Sequence, residues 1–258
     1  MKKIILKELS IERLVKSLKH RIVNLTQLFF WYLKINRNDI TINKKSTTAV
    51  LLANGPSLAN LDVSKINPEW DVFGMNRIYI DSKIYSRISG IFLVNRLVAS
   101  QFRSDFESLN IPLVVPSNLF SIFKGVKGID ILRFNPLKGG FAKKITDSFN
   151  PASTVTYFAL QVLYVMGYRK VILIGLDHNF GTQSSVNKTE KVIKDLHHFN
   201  ENYFPKGTKW ETPDLSGSEY WYDLAKREYE INEIELLDAT EMGKCQIFDK
   251  INLSTLLN

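Results

Sequence analysis

The chain has 258 residues, 45% of them hydrophobic and 23% charged, which suits one α/β domain with a sizeable core and an appended segment. Its formal net charge of +8 sits at the start: residues 1–45 carry eleven Lys and Arg against three acids, leaving 23 of the 34 basic and 23 of the 26 acidic residues for a neutral remainder. A neutral body argues against a nucleic-acid partner, and the single cysteine, Cys245, excludes an internal disulfide and favours a reducing, cytoplasmic compartment.

In the leader, Ile11, Leu14, Val15, Leu18, Ile22, Leu25 and Phe29 recur at helical spacing with charges between them. The pattern predicts a basic amphipathic helix. Its longest apolar run is short of the roughly 18–20 residues that span a bilayer, and no small-residue cleavage site follows it. Two uses stay open: residues 1–35 lie on an anionic membrane surface, at the inner face, or they pack on their own domain or on a second subunit of a homo-oligomer. Residues 36–47 are polar and read as a linker. The expected organisation is a leader and linker over 1–46 and a catalytic domain over 47–258.

The body opens with an apolar run, Ala49–Ala53, followed by Asn54-Gly55-Pro56-Ser57 and a helix-like turn. A second strand covers Asp71–Met75 and ends at Asn76; a third covers Ser89–Val94 and ends at Asn95. Residues 97–109 read as an amphipathic helix, 111–116 and 129–134 as strands, and 136–150 as a mobile loop without periodicity. Ser153 or Thr154 caps a strong helix over Val155–Met166, which Gly167 stops. Val171–Leu176 is continuously apolar and reads as a central parallel strand covered on both faces. It ends in Asp177-His178. A polar stretch, the polar-aromatic run Asp195–Phe204, an amphipathic helix over 220–232 and a last strand over 235–240 complete the chain. Alternating strands and helices predict a Rossmann-like, doubly wound, mostly parallel α/β sheet.

Ligand crevices in such sheets form at the carboxyl ends of the strands, where a Gly turn leaves backbone N–H groups and a helix start facing one spot. Three asparagines, Asn54, Asn76 and Asn95, stand at three such ends. Each carries a donor and an acceptor and suits a ribose, a base edge or a phosphate, although each alone is also an ordinary turn residue. No dinucleotide or P-loop glycine signature is present, and neither is a zinc motif or an Asp-x-Asp after a strand, so no metal site and no resident cofactor is expected. His178 and His198 follow the strongest strand and are the candidates for a general base; Asp177 is placed to orient a histidine or hold a substrate hydroxyl.

At these residues the chain resembles known proteins. The strand followed by Asn-Gly-Pro-Ser-Leu and then D-V-F-x-x-N is similar to the opening of bacterial lipo-oligosaccharide sialyltransferases. The runs T-V-T-Y-F-A-L-Q…M-G-Y-R-K-V-I-L-I-G-L-D-H-N-F and H-F-N-E-N-Y-F-P-K-G-x-x-W resemble the MptE-like family, in its surface-polysaccharide branch. The resemblance covers roughly residues 48–250. It implies a metal-independent glycosyltransferase that moves an acidic sugar from a CMP-activated donor, its substrate, to a glycan or lipid-linked acceptor. It implies nucleotide contacts at Asn54, Gly55, Pro56, Ser57, Asn76, Asn95, Ser153 and Thr154. His198-Phe199 matches the family's His-Tyr pair, the family's base falls near Asn202, and a family tyrosine falls near Asn179.

Two other readings stay open: a pyrophosphokinase of the hydroxymethylpterin type, which needs metal-binding acids beside the phosphates, and a non-catalytic nucleotide-binding protein.

Overall fold

A computed structural model describes residues 40–152, 154–179 and 188–257. The leader helix, Ser153 and most of the polar stretch after His178 lie outside the described residues.

The strands are β1 (Thr48–Leu52), β2 (Asp71–Met75), β3 (Gly90–Phe92), β4 (Leu113–Pro116), β5 (Ile129–Leu132), β6 (Lys170–Ile174), β7 (Thr189–Lys191), β8 (Lys209–Glu211), β9 (Glu235–Asp238) and β10 (Asp249–Lys250). The helices are α1 (Ser82–Arg87), α2 (Arg96–Gln101), α3 (Arg103–Glu107), α4 (Val155–Val165) and α5 (Leu215–Ile231). Eight strands form one parallel sheet in the order β10-β9-β6-β1-β2-β3-β4-β5; β7 and β8 form a separate antiparallel hairpin. The sheet is the expected doubly wound one. The chain builds outward from β1 to β5, then returns to the other side of β1 with β6. The strand order therefore reverses between β1 and β6, where such sheets open a crevice.

The core explains why the strands were legible as unbroken apolar runs. In β1, Ala49 and Leu51 enter one hydrophobic cluster with Phe73, Phe158 and Tyr229, while Val50 and Leu52 enter another with Val72, Ile91 and Phe106. Side chains alternate across a strand, so a strand covered on both faces is apolar at every position.

Three elements differ from expectation. The helix read over 97–109 is two short helices broken at Phe102, whose ring stacks on the Arg77 guanidinium 3.6 Å away. Residues 136–150 form a loop, but a fastened one: the buried side chain of Gln161 accepts from the backbone N–H groups of Ala142 and Asn150 and donates to the Asn150 carbonyl. Residues 40–47, polar enough to read as linker, are tied to the sheet. Thr41 donates through N and Oγ1 to Asp130, Lys45 and Ser46 donate through their backbones to buried Asp71, and Ile42 is buried.

Candidate functional site

A cleft of about 430 Å³ opens at the carboxyl edge of the sheet, over the β1–β6 junction. The expected residues Asn54, Gly55, Pro56, Asn76, Asn95, Thr154, Asp177, His178 and His198 all line it.

The floor begins with two motifs that explain each other. After β1 the Gly55 N–H donates to the Gly175 carbonyl at 3.0 Å. A β-carbon on Gly55 would collide with the Asp177 carboxylate and lie 2.6 Å from the Gly175 carbonyl oxygen. Asp177 in turn accepts from the Ser57 N–H at 3.1 Å and from its hydroxyl at 2.6 Å. The carboxylate thus satisfies the start of the single 3₁₀ turn Pro56–Asn60, an orphan N–H that Gly55 has no side chain to meet. Ser57 is not part of the cleft lining, because its hydroxyl is turned to Asp177. Asp177 does line the cleft, but its carboxylate holds Ser57 rather than a histidine.

Asn76 has a positive φ of 50°, a turn geometry that asparagine tolerates. Asn95 has its amide engaged by the protein: its Oδ1 caps α2 by accepting from the Val98 N–H, and its Nδ2 donates to Glu211. A fourth asparagine, Asn118, follows β4 and also lines the cleft. The side-chain oxygens of Asn54, Asn76 and Asn118 are buried and accept no hydrogen bond among the described residues. Buried polar atoms in folded proteins are nearly always paired, and an unpaired one costs roughly 1–3 kcal/mol.

At the junction end, α4 points its N-terminus at the cleft. Thr154 is its N-cap, accepting from the Thr156 N–H, and its hydroxyl shares a hydrogen bond with the buried Tyr222 hydroxyl at 3.0 Å. Burial pushes the Tyr222 hydroxyl up to about 12, with the Thr154 hydrogen bond acting against it. Tyr222 therefore stays protonated. The positive helix end suits a phosphate.

Both expected histidines have a carboxylate partner. His178 has φ 52°, and its Nε2 lies 3.2 Å from Glu219. His198 is held more firmly. Its Nδ1 lies 2.8 Å from both oxygens of buried Asp195, its ring stacks on Tyr203 at 4.0 Å and 6°, and Phe204 meets it edge-on. Burial alone raises the Asp195 carboxyl; hydrogen bonds from His198 and from the N–H groups of His197 and Phe204 outweigh it and hold the group below its ordinary value. An ionised Asp195 fixes the proton on Nδ1 and leaves Nε2 as the acceptor, the arrangement a general base requires.

The run Asp195–Phe204 is placed by the sheet: the Phe199 N–H donates to the Asn54 carbonyl, and buried Arg77 donates to the Tyr203 carbonyl. Sequence reasoning missed Asn118, Asp195 and Arg77. Asn118 obeys the rule that found its neighbours, an asparagine closing a buried strand. Arg77 carries no local signal, because its partner Tyr203 is 126 residues away; Asp195, three residues before His198, stood within reach of a local reading.

Among the described residues no three His, Cys, Asp or Glu side chains gather as a cation site. No described helix is long and apolar enough to cross a membrane.

A doubly wound parallel sheet with a cleft at its switch point defines the class. No protein-family model matches the sequence, and no curated protein matches it. The solved structures give a likeness of fold. The chain is similar to Cst-I, a monofunctional α-2,3-sialyltransferase of Campylobacter jejuni, with a TM-score of 0.54 and 13% identity over 86% of each chain. It is more weakly similar to the sialyltransferase CstII of the same organism: TM-score 0.48 and 11% identity over 84% of this chain and 89% of that one for the complex with cytidine-5'-monophosphate. For the complex with CMP-3FNeuAc the values are 0.47 and 13%, over 82% and 88%.

Proposed function

We propose that this chain is a sialyltransferase-like glycosyltransferase. It moves an acidic sugar from a CMP-activated donor to a glycan or lipid-linked acceptor, with His198 as the general base. The observation that carries the reading is a histidine lining the cleft at the sheet's carboxyl edge, His198, whose Nδ1 is locked on Asp195. The fold likeness to Cst-I supports it, as do the motifs similar to lipo-oligosaccharide sialyltransferases and MptE-like proteins.

In this reading the nucleoside lies along the asparagines and its phosphate meets the start of α4 at Thr154. His198 Nε2 takes the proton of the acceptor hydroxyl. The acceptor oxygen bonds to the anomeric carbon as the bond from that carbon to the phosphate oxygen breaks, and CMP leaves with the electron pair. A single displacement inverts the anomeric centre. Neutral donors, the helix end and His178 receive the leaving phosphate, so the reaction proceeds without a metal ion. Residues 1–35 hold the catalytic domain at the cytoplasmic face of the inner membrane, where lipid-linked acceptors reside.

Calorimetric titration of the full chain with CMP, CDP, UDP and ATP, with and without Mg²⁺, tests the reading. Metal-free binding of CMP or CDP is expected. Mg²⁺-dependent ATP binding would move the assignment to a pyrophosphokinase, and sugar transfer surviving His198→Ala would remove the base.

A further inference from the structure

Large apolar side chains left in water are spread unevenly over the body. Among the described residues six are exposed: Leu137, Ile193, Leu196, Tyr220, Ile231 and Met242. Single exposed apolar residues are ordinary, so the informative point is where these stand. All but Ile231 are at the carboxyl edge of the sheet, around the cleft. Leu137 follows β5, in a turn where its N–H donates to the Asn135 side chain at 3.0 Å. Leu196 directly precedes the cleft residues His197 and His198, and Ile193 is on the same loop. Met242 is 99% exposed, in a turn fastened to the cleft by the Lys244 N–H, which donates to the Asp177 carbonyl at 2.9 Å. Tyr220 is near the start of α5, between the cleft residues Ser218 and Tyr222. Ile231 is at the far end of that helix, about 25 Å away. Lys138, Lys191, Lys194, Lys206 and Lys244 are on the same loops, exposed and in no ion pair among the described residues. Two exposed acids there, Glu201 and Glu241, also lack a partner, so the unpaired charge is positive.

From this distribution we infer that the carboxyl edge of the body is a docking face for an anionic lipid surface. The inference rests on the reading that residues 1–35 bring the chain to a membrane, and it deepens that reading by naming the face that meets the lipid. β9 and β5, whose loops carry Met242 and Leu137, are six strand spacings apart, roughly 29 Å. Side chains that far apart do not form one groove for a peptide or a helix. They are points on a broad face, and a lipid surface is the partner that meets all of them at once. The apolar side chains enter the boundary between headgroups and acyl chains, and the lysines keep their ammonium groups at the lipid phosphates. A few scattered side chains attach a protein only marginally, and firm attachment takes a second signal. The face therefore orients a chain that its basic leader concentrates at the surface. Because Leu196 adjoins His197 and His198, docking there turns the mouth of the cleft to acceptors held in the lipid.

The test places a fluorophore on each edge of the full-length chain. Cys245 is buried, so a thiol-reactive, polarity-sensitive dye goes to an introduced cysteine. Three single variants carry it: Ile193→Cys and Met242→Cys at the carboxyl edge, and Ile231→Cys at the far end of α5. All three positions are exposed, so none of the exchanges disturbs the core. Phosphatidylserine-containing vesicles are added in low salt, with nitroxide-labelled lipid as quencher. The dyes at 193 and 242 are expected to shift to the blue and to be quenched, while the dye at 231 keeps its spectrum in water. Raising the salt reverses the shift. If the chain sediments with the vesicles but the dyes at 193 and 242 do not respond, the leader attaches it alone and the inference is overturned. A response at 231 equal to that at 193 and 242 overturns it too, because the body then adsorbs without a preferred face. A full-length chain that does not sediment at all removes the membrane attachment by residues 1–35 together with the docking face. Metal-free CMP binding, measured apart from lipid, is untouched by any of these results and tests the nucleotide-sugar reading separately.

Discussion

At the scale of single residues, Gly55 shows how closely the cleft floor is built. Its φ of −70° is open to any residue, so the requirement for glycine is one of space. The missing β-carbon's place is taken by the Asp177 carboxylate and the Gly175 carbonyl. Gly55→Ala must push β1's end away from β6's end. Overpacking of this kind typically costs about 1–3 kcal/mol. A urea titration is expected to show that loss as a lower midpoint at unchanged slope, together with weaker CMP binding, because the cleft floor moves with it. Asp195 gives a second residue-level prediction, with a sign set by its lowered pKa. Its ordinary value is 3.8, and the folded state holds it lower. The stabilisation is therefore present above pH 3.8 and is lost as pH falls through the folded value. Asp195→Asn removes this component, so its stability declines less steeply with acid than the wild type's, while at neutral pH the variant is the less stable. Parallel acid melts followed by circular dichroism check both halves; equal acid slopes would detach Asp195 from the acid sensitivity.

At the scale of elements, what was legible in the sequence followed burial. β1, β2 and β6 are covered on both faces and read as continuous apolar runs. The α4 cap and stop were equally local, Thr154 before the helix and Gly167 at φ 77° after it. The hairpin of β7 and β8 was not legible. Its strands have three residues each and are mostly exposed, so no apolar period marks them. The split of the 97–109 helix was hidden for another reason. Helical spacing persists through Phe102, but its ring meets the buried Arg77 guanidinium, and that tertiary contact sets the backbone at φ −119°. The candidate site divides along the same line. The asparagines and histidines were visible because strand ends can be found from strands. Their division of labour was not, because it depends on which polar atoms the fold already satisfies. Asn95 and Asn118 look alike in sequence, yet Asn95 caps a helix of its own while Asn118 keeps a free acceptor.

At the scale of the whole molecule, the boundary between leader and body falls within the segment that composition alone made a linker. Polarity placed it near residue 46, whereas hydrogen bonds place the body's first fixed residues near 41. Thr41 satisfies Asp130 of β5, and Lys45 and Ser46 satisfy Asp71 of β2, which also accepts from the Tyr168 hydroxyl at 2.8 Å. Burial and the Asp71 hydrogen bond together push that tyrosine well above its ordinary range, so it remains a donor. Removing residues 40–47 takes two backbone donors from buried Asp71 and leaves its charge with the tyrosine alone. Truncating one side of a buried, charged hydrogen-bond set is among the costliest single changes, on the order of 3–5 kcal/mol. Two truncations separate the boundaries. A chain starting at residue 40 is expected to melt within a few degrees of the full-length protein and to bind CMP as tightly. A chain starting at residue 48 is expected to lose about ten degrees or more of Tm, or to be recovered only as aggregate. If the two shortened chains melt alike, the segment over 40–47 is a linker after all. The same pair tests where the positive charge acts: the full-length chain should sediment with anionic phosphatidylserine vesicles in low salt. The chain from residue 40 keeps only Lys44 and Lys45 of the eleven basic leader residues and should stay in the supernatant.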